Sequence, residues 1–260
     1  MKRTRVYILL TIVLTGLLSG CGRADAVPSG TETAATEPTI FQTLPPATQT
    51  TQPAHSALYI PGIPVEDVIA AFNEVVLSAE FINSGDPSVL QKWTEPIFYQ
   101  LEGDPTEEDR RILERFVLEL NYIEGFPGMY ESPGTAETNL PMYFCSQEEL
   151  LNRMGDQFLG NDGGVTFWYE ENQIYRGILC IRKDLEQQLR NSVILEEIYN
   201  GLGPIQDTDL RPDSIIYSGF SQPQQLTDMD WLLLKLLYHP QMICGMTKDQ
   251  CEAVIRQLYY

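Results

Sequence analysis

The chain has 260 residues, with 36 acidic and 17 basic side chains and a formal net charge of −19 at pH 7. A surface this acidic repels the phosphates of nucleic acids and the headgroups of anionic lipids, so nucleic acid is not expected as a partner. Hydrophobic residues make up 43% of the sequence, which is enough to build a packed core.

Residues 1–20 have the parts of an export signal. Lys2, Arg3 and Arg5 precede an apolar run that is too short to span a membrane as a helix. The sequence LSGC, which ends at Cys21, resembles the lipobox of bacterial lipoproteins, in which the cysteine is acylated and becomes the first residue of the mature chain. The resemblance implies a lipid anchor on Cys21 at the extracytoplasmic face of a bacterial membrane. An ordinary export signal is the alternative.

Residues 21–57 are rich in Thr, Ala, Pro and Gln, as in PPATQTTQPA at residues 45–54. This segment has no apolar periodicity, so it cannot bury enough surface to offset the entropy lost on ordering. We expect a disordered tether that holds the rest of the chain away from the membrane. A Thr- and Pro-rich tract of this kind can also be an O-glycosylated stalk.

Residues 58–260 are predicted to form one domain. Apolar residues at helical spacing predict a helix over 64–81, and PIFYQLEG at 96–103 is typical of a strand. The next helix is expected to begin at Asp104 as its N-cap, with Glu107 completing a capping box.

Strand patterns dominate the middle of the chain. LPMYFC at 140–145 is followed by a capping box that starts a short helix, and two strands at 163–170 and 173–181 are separated by a polar turn, which predicts a hairpin. Two more helices follow, with a short strand, SIIY, at 214–217 before them. The first of these helices contains Trp231 and five leucines and is apolar on too many faces to be exposed, so it is predicted to be a buried core helix. The predicted caps and turn residues are Ser146 with Glu149, Glu171 and Asn172, Thr227, and Thr247 with Gln250. The predicted class is α+β, with a small, mixed or mainly antiparallel sheet packed by helices.

Four cysteines follow Cys21, namely Cys145, Cys180, Cys244 and Cys251. An even number in an exported protein permits two disulfides in three connectivities, and the sequence selects none of them. Buried free thiols are the alternative. There is no CxxC pair, so a structural zinc site is not expected.

The stretch ILEEIYNGLG at 194–203 resembles the zinc-binding helix of metalloproteases, HExxHxxGxxH. In that alignment Glu196, Asn200 and Gln206 stand where the motif has histidines, and only Glu197 and Gly203 match it. At 100° per residue, the apolar side chains of this helix share one arc and the polar ones lie opposite. A solvated polar face is therefore expected.

A longer resemblance extends over 61–260. The segments LEEIYNGLGPIQD, PDSIIY and LTDMDWLLLKLLYHPQMICGMT are similar to a family of bacterial lipoproteins of unknown function. That family looks like a motif-degenerate relative of the zincin metalloproteases, which implies a zincin-like domain. Its EExxxxLGxxxD signature corresponds to Glu196, Glu197, Leu202, Gly203 and Asp207. Met246 is the candidate for the methionine turn, and Pro204 departs from the family pattern.

The chain has two histidines, His55 in the tether and His239 after the buried helix. A catalytic zinc ion normally has three protein ligands, so a conventional zinc protease is not expected and no cofactor is predicted. The oxygen donors of Glu196, Asn200, Gln206 and Asp207 would suit a hard cation, and a solvated helix face is the competing interpretation. His239 is expected to be a surface or capping histidine.

Three functional hypotheses follow. The first is a lipid-anchored binding or envelope-assembly module, in which a zincin-like cleft without metal holds an extended peptide or envelope protein against an edge strand. The second is an envelope hydrolase that uses Glu196 and Glu197 as catalytic residues with a non-standard metal site. The third is a structural lipoprotein of the cell envelope.

Overall fold

The computed structural model describes residues 56–77, 89–134, 137–203, 206–219 and 221–260. The predicted signal peptide, Cys21 and the tether as far as residue 55 lie outside these described residues. Residues 78–81, at the predicted end of the first helix, and Pro204 also lie outside the described residues.

Helices and strands alternate irregularly along the described chain. Their order is α1 (Val65–Val76), β1 (Lys92–Trp93), β2 (Ile97–Glu102), α2 (Glu107–Leu120), β3 (Met129–Glu131), β4 (Leu140–Cys145), α3 (Gln147–Met154), β5 (Gly163–Glu170), β6 (Gln173–Arg182), α4 (Gln187–Gly201), α5 (Asp228–Tyr238) and α6 (Lys248–Leu258).

The six strands form one mixed sheet. β6 pairs with β1, β4 and β5, while β2 pairs with β4 on one side and β3 on the other. Of the strand pairs that the described residues form, β5–β6 alone is antiparallel. The predicted mixed sheet packed by helices is confirmed, but a mainly antiparallel sheet is wrong. Helix α2 carries the chain from β2 back to the same edge, which makes the following strands parallel to β2.

The two faces of the sheet are covered unequally. Leu140, Met142 and Phe144 of β4 point into the main core, which they share with buried residues of all the helices except α3. Cys145 points to the opposite face and packs in a small cluster beneath α3. Because side chains alternate along a strand, β4 divides the large core from the small one.

Most predicted helix starts are correct. Ser146 forms a capping box with Glu149, and Gln250 Oε1 accepts a hydrogen bond from the Thr247 amide at 2.9 Å. The predicted cap at Asp104 is wrong, because Asp104 has a φ of 62° and the N-cap of α2 is Thr106. Asp109 completes that capping box, in place of Glu107.

The predicted hairpin is confirmed, and the predicted strand at 214–217 is wrong. Glu171 and Asn172 both have positive φ between β5 and β6, as the favoured two-residue hairpin turn requires. Residues 214–217 form a turn that contributes only an isolated bridge between Tyr217 and Thr208. Among the described residues, no helix is long and apolar enough to cross a membrane.

A buried ion pair joins the start of α2 to the start of α4. Asp109 Oδ1 accepts hydrogen bonds from Arg190 Nε at 2.9 Å and from Gln187 Nε2 at 2.8 Å. Asp109 Oδ2 accepts from the Thr106 amide at 2.8 Å, so the same carboxylate also caps α2. Burial raises the pKa of Asp109, but the hydrogen bonds from Arg190, Gln187 and Thr106 outweigh it and hold that pKa below its usual value.

Replacing this carboxylate should lower the stability of the fold and make that stability less dependent on pH. Asp109→Asn leaves Arg190 buried without its partner, so we expect a loss of about 3–5 kcal/mol in the free energy of unfolding at pH 7. Because the pKa of Asp109 is lowered by folding, its stabilisation is complete above the unfolded pKa of about 4 and disappears as the pH falls through the folded pKa. Urea titrations should therefore show that the free energy of unfolding falls less in the variant than in the wild type as the pH is lowered from 5. Glu114→Gln, on the exposed face of α2, is the control, and an identical pH slope in wild type and Asp109→Asn would contradict the prediction.

Candidate functional site

Helix α4, which carries the protease-like sequence, is buried in the fold. All twelve residues from Arg190 to Gly201 are buried. Glu196 is 4% exposed, and Glu197 and Asn200 are 0% exposed. The expected solvated polar face is therefore wrong. The 100° periodicity correctly separates the polar residues from the apolar ones, but it does not show that other parts of the chain cover the polar side.

Hydrogen bonds from neighbouring elements fix the C-terminal half of α4. Trp93 Nε1 donates to the Gly201 carbonyl at 2.9 Å, and the Tyr199 hydroxyl donates to the Asp230 carbonyl at 3.0 Å. The Tyr238 hydroxyl donates to the Leu202 carbonyl at 2.7 Å. Burial raises the pKa of both tyrosines, which keeps the hydroxyls protonated as donors. The bonds from Trp93 and Tyr238 satisfy carbonyl groups at the C-terminal end of α4, while the bond from Tyr199 joins α4 to α5.

Gly203, which aligns with the glycine of the zinc motif, has a packing role here. It has a φ of 126°, and a Cβ at this position would lie 3.0 Å from both the Gln91 carbonyl oxygen and Leu237 Cδ2. A side chain would thus be opposed by both the backbone conformation and the close approach of β1 and α5. The backbone conformation and close packing at the end of α4 therefore account for a glycine here without a bound ligand.

Glu197 lies against the first residue of β5. A Cβ at Gly163 would be 2.8 Å from Glu197 Cγ and 2.9 Å from Glu197 Oε1. The Glu197 charge also contributes to raising the pKa of Cys180, after the larger effects of the hydrogen bond with Cys145 and of burial. The carboxylate that aligns with the general base of the zinc motif is therefore packed between α4 and the sheet.

The predicted metal ligands come from two segments. Glu196 and Asn200 are one turn apart on α4, whereas Gln206 and Asp207 lie on the segment that follows it. The backbone amide of Gln206 donates to the Val75 carbonyl at 3.2 Å, and the Thr208 hydroxyl donates to Glu74 Oε2 at 2.8 Å. This segment therefore packs against the end of α1. In the described ranges, no group of three or more His, Cys, Asp or Glu side chains is arranged to hold a metal ion. A hard cation at Glu196, Asn200, Gln206 and Asp207 stays an untested alternative to the interpretation without metal.

His239 caps a helix, and the described cysteines carry free thiols. His239 is the C-cap of α5, and its Nδ1 accepts a hydrogen bond from the Gln241 amide at 3.2 Å, which confirms the expected capping role. The four described cysteines are free thiols, in agreement with the second of the two alternatives. Cys145 and Cys180 contact each other beneath α3.

Sequence reasoning did not identify Lys92 as a buried cation. Its ammonium group donates to the Leu237 carbonyl in the last turn of α5 at 3.0 Å and to the Met242 carbonyl, in the segment that follows this helix, at 2.6 Å. Burial lowers the pKa of Lys92, and the nearby Cys244 and Cys251 partly oppose that effect. A cation stabilises a helix C-terminus. The local sequence around Lys92 does not predict this contact, because α5 lies far away in the sequence.

The close approach of α4 to β5 can be tested at Gly163. A Cβ there would also meet Val193 Cγ1 at 2.7 Å, so Gly163→Ala should lower the free energy of unfolding by about 1–3 kcal/mol. Gly134→Ala is the control, because a Cβ at the exposed Gly134 would meet no atom within 4 Å. Thermal and urea denaturation of the two variants should differ clearly. Equal stability of both variants would show that Glu197 and Val193 do not pack against β5.

Comparison with known proteins gives a family but no function. No curated protein matches the chain. A family model described as "Protein of unknown function (DUF2927)" matches residues 65–257, from the start of α1 to the last turn of α6. Since that match covers well over half of the chain, the protein belongs to the DUF2927 family of proteins of unknown function.

Proposed function

We propose that this protein is a lipid-anchored extracytoplasmic lipoprotein whose domain binds an extended peptide segment of an envelope protein along the outer edge of β5. The observation that carries the proposal is the position of β5, an antiparallel strand at the edge of the sheet that packs on α4 and, within the residues that the structure describes, pairs with β6 alone. The closeness of that packing is clear at Gly201, where a Cβ would lie 3.2 Å from Val165 Cγ2.

The strand register identifies the backbone groups that would pair with the peptide. The Arg182 amide donates to the Asp162 carbonyl at 2.9 Å, so alternate residues from Asp162 onward bond to β6. The backbone groups of Gly163, Val165 and Phe167 consequently point to the outer edge. Within the ranges that the structure describes, no other segment forms a backbone hydrogen bond with these three residues. A peptide strand can bind to such an edge by main-chain hydrogen bonds alone.

The resemblance to zincins supports the same site. Zincin clefts hold extended peptides against an edge strand beside the active helix, and β5 has that relation to α4 here. Pairing of this kind does not need a metal or a catalytic base. The lipobox-like sequence at Cys21 supports the placement of the domain at a membrane surface, where envelope proteins are its neighbours.

Burial of the acidic residues favours binding over hydrolysis. The hydrolase hypothesis requires a substrate to contact Glu196 and Glu197, which are 4% and 0% exposed. A general base must come within hydrogen-bond reach of the proton that it removes, so these side chains would first have to be uncovered. Pairing at β5 also requires neighbouring groups to move, because Val165 and Phe167 are 0% and 1% exposed, but it needs only backbone hydrogen bonds and neither a reachable catalytic base nor an activated water.

Blocking one outward amide should abolish peptide capture. Val165→Pro removes an N–H that points away from β6, whereas Val165→Ala shortens the same side chain and keeps the N–H. With a photo-crosslinking residue at the exposed Glu170 of the full-length protein in cells, we expect Val165→Pro to reduce crosslinks to a partner at least about tenfold relative to Val165→Ala.

A crosslinker at Glu114, on the exposed face of α2, serves as the position control and should give no such product. Circular dichroism must show that both Val165 variants are folded. Equal crosslinking by the two variants, or equal products from Glu170 and Glu114, would contradict pairing at β5.

A further inference from the structure

Three cavities meet at Trp231 on the side of the domain formed by α2 and α5. Their volumes are about 480, 310 and 260 Å³. The first two share Glu119, and the last two share Lys235, so they are lobes of one groove, here called the Trp231 groove. The largest lobe lies within the size range of pockets that hold small molecules. The groove is separate from β5.

The centre of the groove is aromatic. Trp231 is half-buried and packs against Phe116 in an edge-to-face arrangement, with ring centroids 5.7 Å apart and an interplanar angle of 73°. Ile112, Leu195 and Leu226 line the largest lobe and are themselves buried. The indole is therefore held on a firm apolar support, and part of it remains available in the groove.

One wall of the largest lobe is a chain of amide side chains fixed by hydrogen bonds. Gln187 Nε2 donates to Asn191 Oδ1 at 2.8 Å, and Asn191 Nδ2 donates to Gln224 Oε1 at 3.3 Å. Gln224 Nε2 donates to the carbonyls of Gln188 and Gln222, both at 3.0 Å. Each amide has two hydrogens and two lone pairs, so Asn191 Nδ2 and the Gln224 oxygen keep hydrogen-bonding capacity. Gln225 adds an exposed amide beside them.

The charges around the groove do not suit an anion. Its lobes are lined by the carboxylates of Glu108, Glu119 and Asp228, against the cations of Arg115 and Lys235. The lining therefore has one negative charge in excess, and the whole chain has a formal charge of −19. A phosphate or an acidic peptide would be repelled.

We propose that the Trp231 groove binds a neutral oligosaccharide. A sugar ring has an apolar C–H face that can lie on the indole and a rim of hydroxyls that both donate and accept hydrogen bonds. The carboxylates of Glu108 and Glu119 accept from such hydroxyls, while the amide of Asn191 donates to them. A cationic peptide would also satisfy the carboxylates, and its backbone carbonyls would accept from the amides, but a lysine chain has no flat C–H face to lie on the indole. Three lobes around one indole suit a linear chain of several sugar units better than a single ring.

The test is calorimetric titration of the full chain with two neutral probes, the tetramers of β-1,4-linked N-acetylglucosamine and of β-1,4-linked glucose. We expect saturable binding of at least one probe, weakened at least about tenfold in Trp231→Ala. Trp168 is the matched control, because it is also half-buried but lies on β5, so Trp168→Ala should bind as the wild type does. Gln225→Ala changes an exposed side chain and should weaken binding without affecting the fold. This variant tests the proposal if Trp231→Ala is unstable.

The proposal would be overturned if neither tetramer bound, or if Trp168→Ala and Trp231→Ala lost binding equally. It would also be overturned if tetralysine bound at the groove and the sugars did not, since the groove would then be a site for cationic peptides. The variants at Trp231 and Gln225 and the choice of probe leave the outward backbone groups of β5 unchanged, so the two proposals can fail independently.

Discussion

The burial of α4 is the constraint on which the rest of this structure depends. The helix is enclosed from Arg190 to Gly201, so every neighbouring element has to fit around it. Arg190 connects it to the start of α2 through Asp109, and Gly201 connects it to β1 through Trp93. Glycines at 163, 201 and 203 let strands and helices approach it at distances that a side chain would prevent. Both the sheet and other helices pack on α4, so this helix holds them together.

That burial separates the motif-like sequence of α4 from the chemistry of the zinc motif. The zinc motif places charged and imidazole side chains in an open cleft, where a bound water can meet a substrate. Here the corresponding Glu196, Glu197 and Asn200 are enclosed, and the matching glycine is required by the packing of Gln91 and Leu237. Helix α4 packs beside β5, the strand whose outward backbone groups form the proposed binding site.

The sequence predicts local structure here better than it predicts the environment of each side chain. The capping box at Ser146, the hairpin turn at Glu171 and Asn172, and the core character of α5 depend on neighbours within a few residues, so they can be read from the sequence. Asp104 and Thr106 are both good caps in principle, and only the backbone shows that Asp104 has a positive φ.

Features that depend on distant residues were not predictable in the same way. The parallel direction of most strand pairs follows from how α2 returns the chain to the sheet, and the closure of the polar face of α4 follows from packing far along the sequence. Trp231 was expected to be a core residue because it stands among leucines, yet it is half-buried at the meeting point of three cavities. Its position depends on α2 and on the segment before α5, which are separated from each other by about 100 residues.

The most direct test of this account is the metal content of the chain by native mass spectrometry after exposure to zinc, calcium and magnesium. If α4 is a structural helix, the protein should retain no stoichiometric metal whose binding depends on Glu196. A single bound metal that disappears in Glu196→Ala would contradict the account and would place a metal centre on α4 after all.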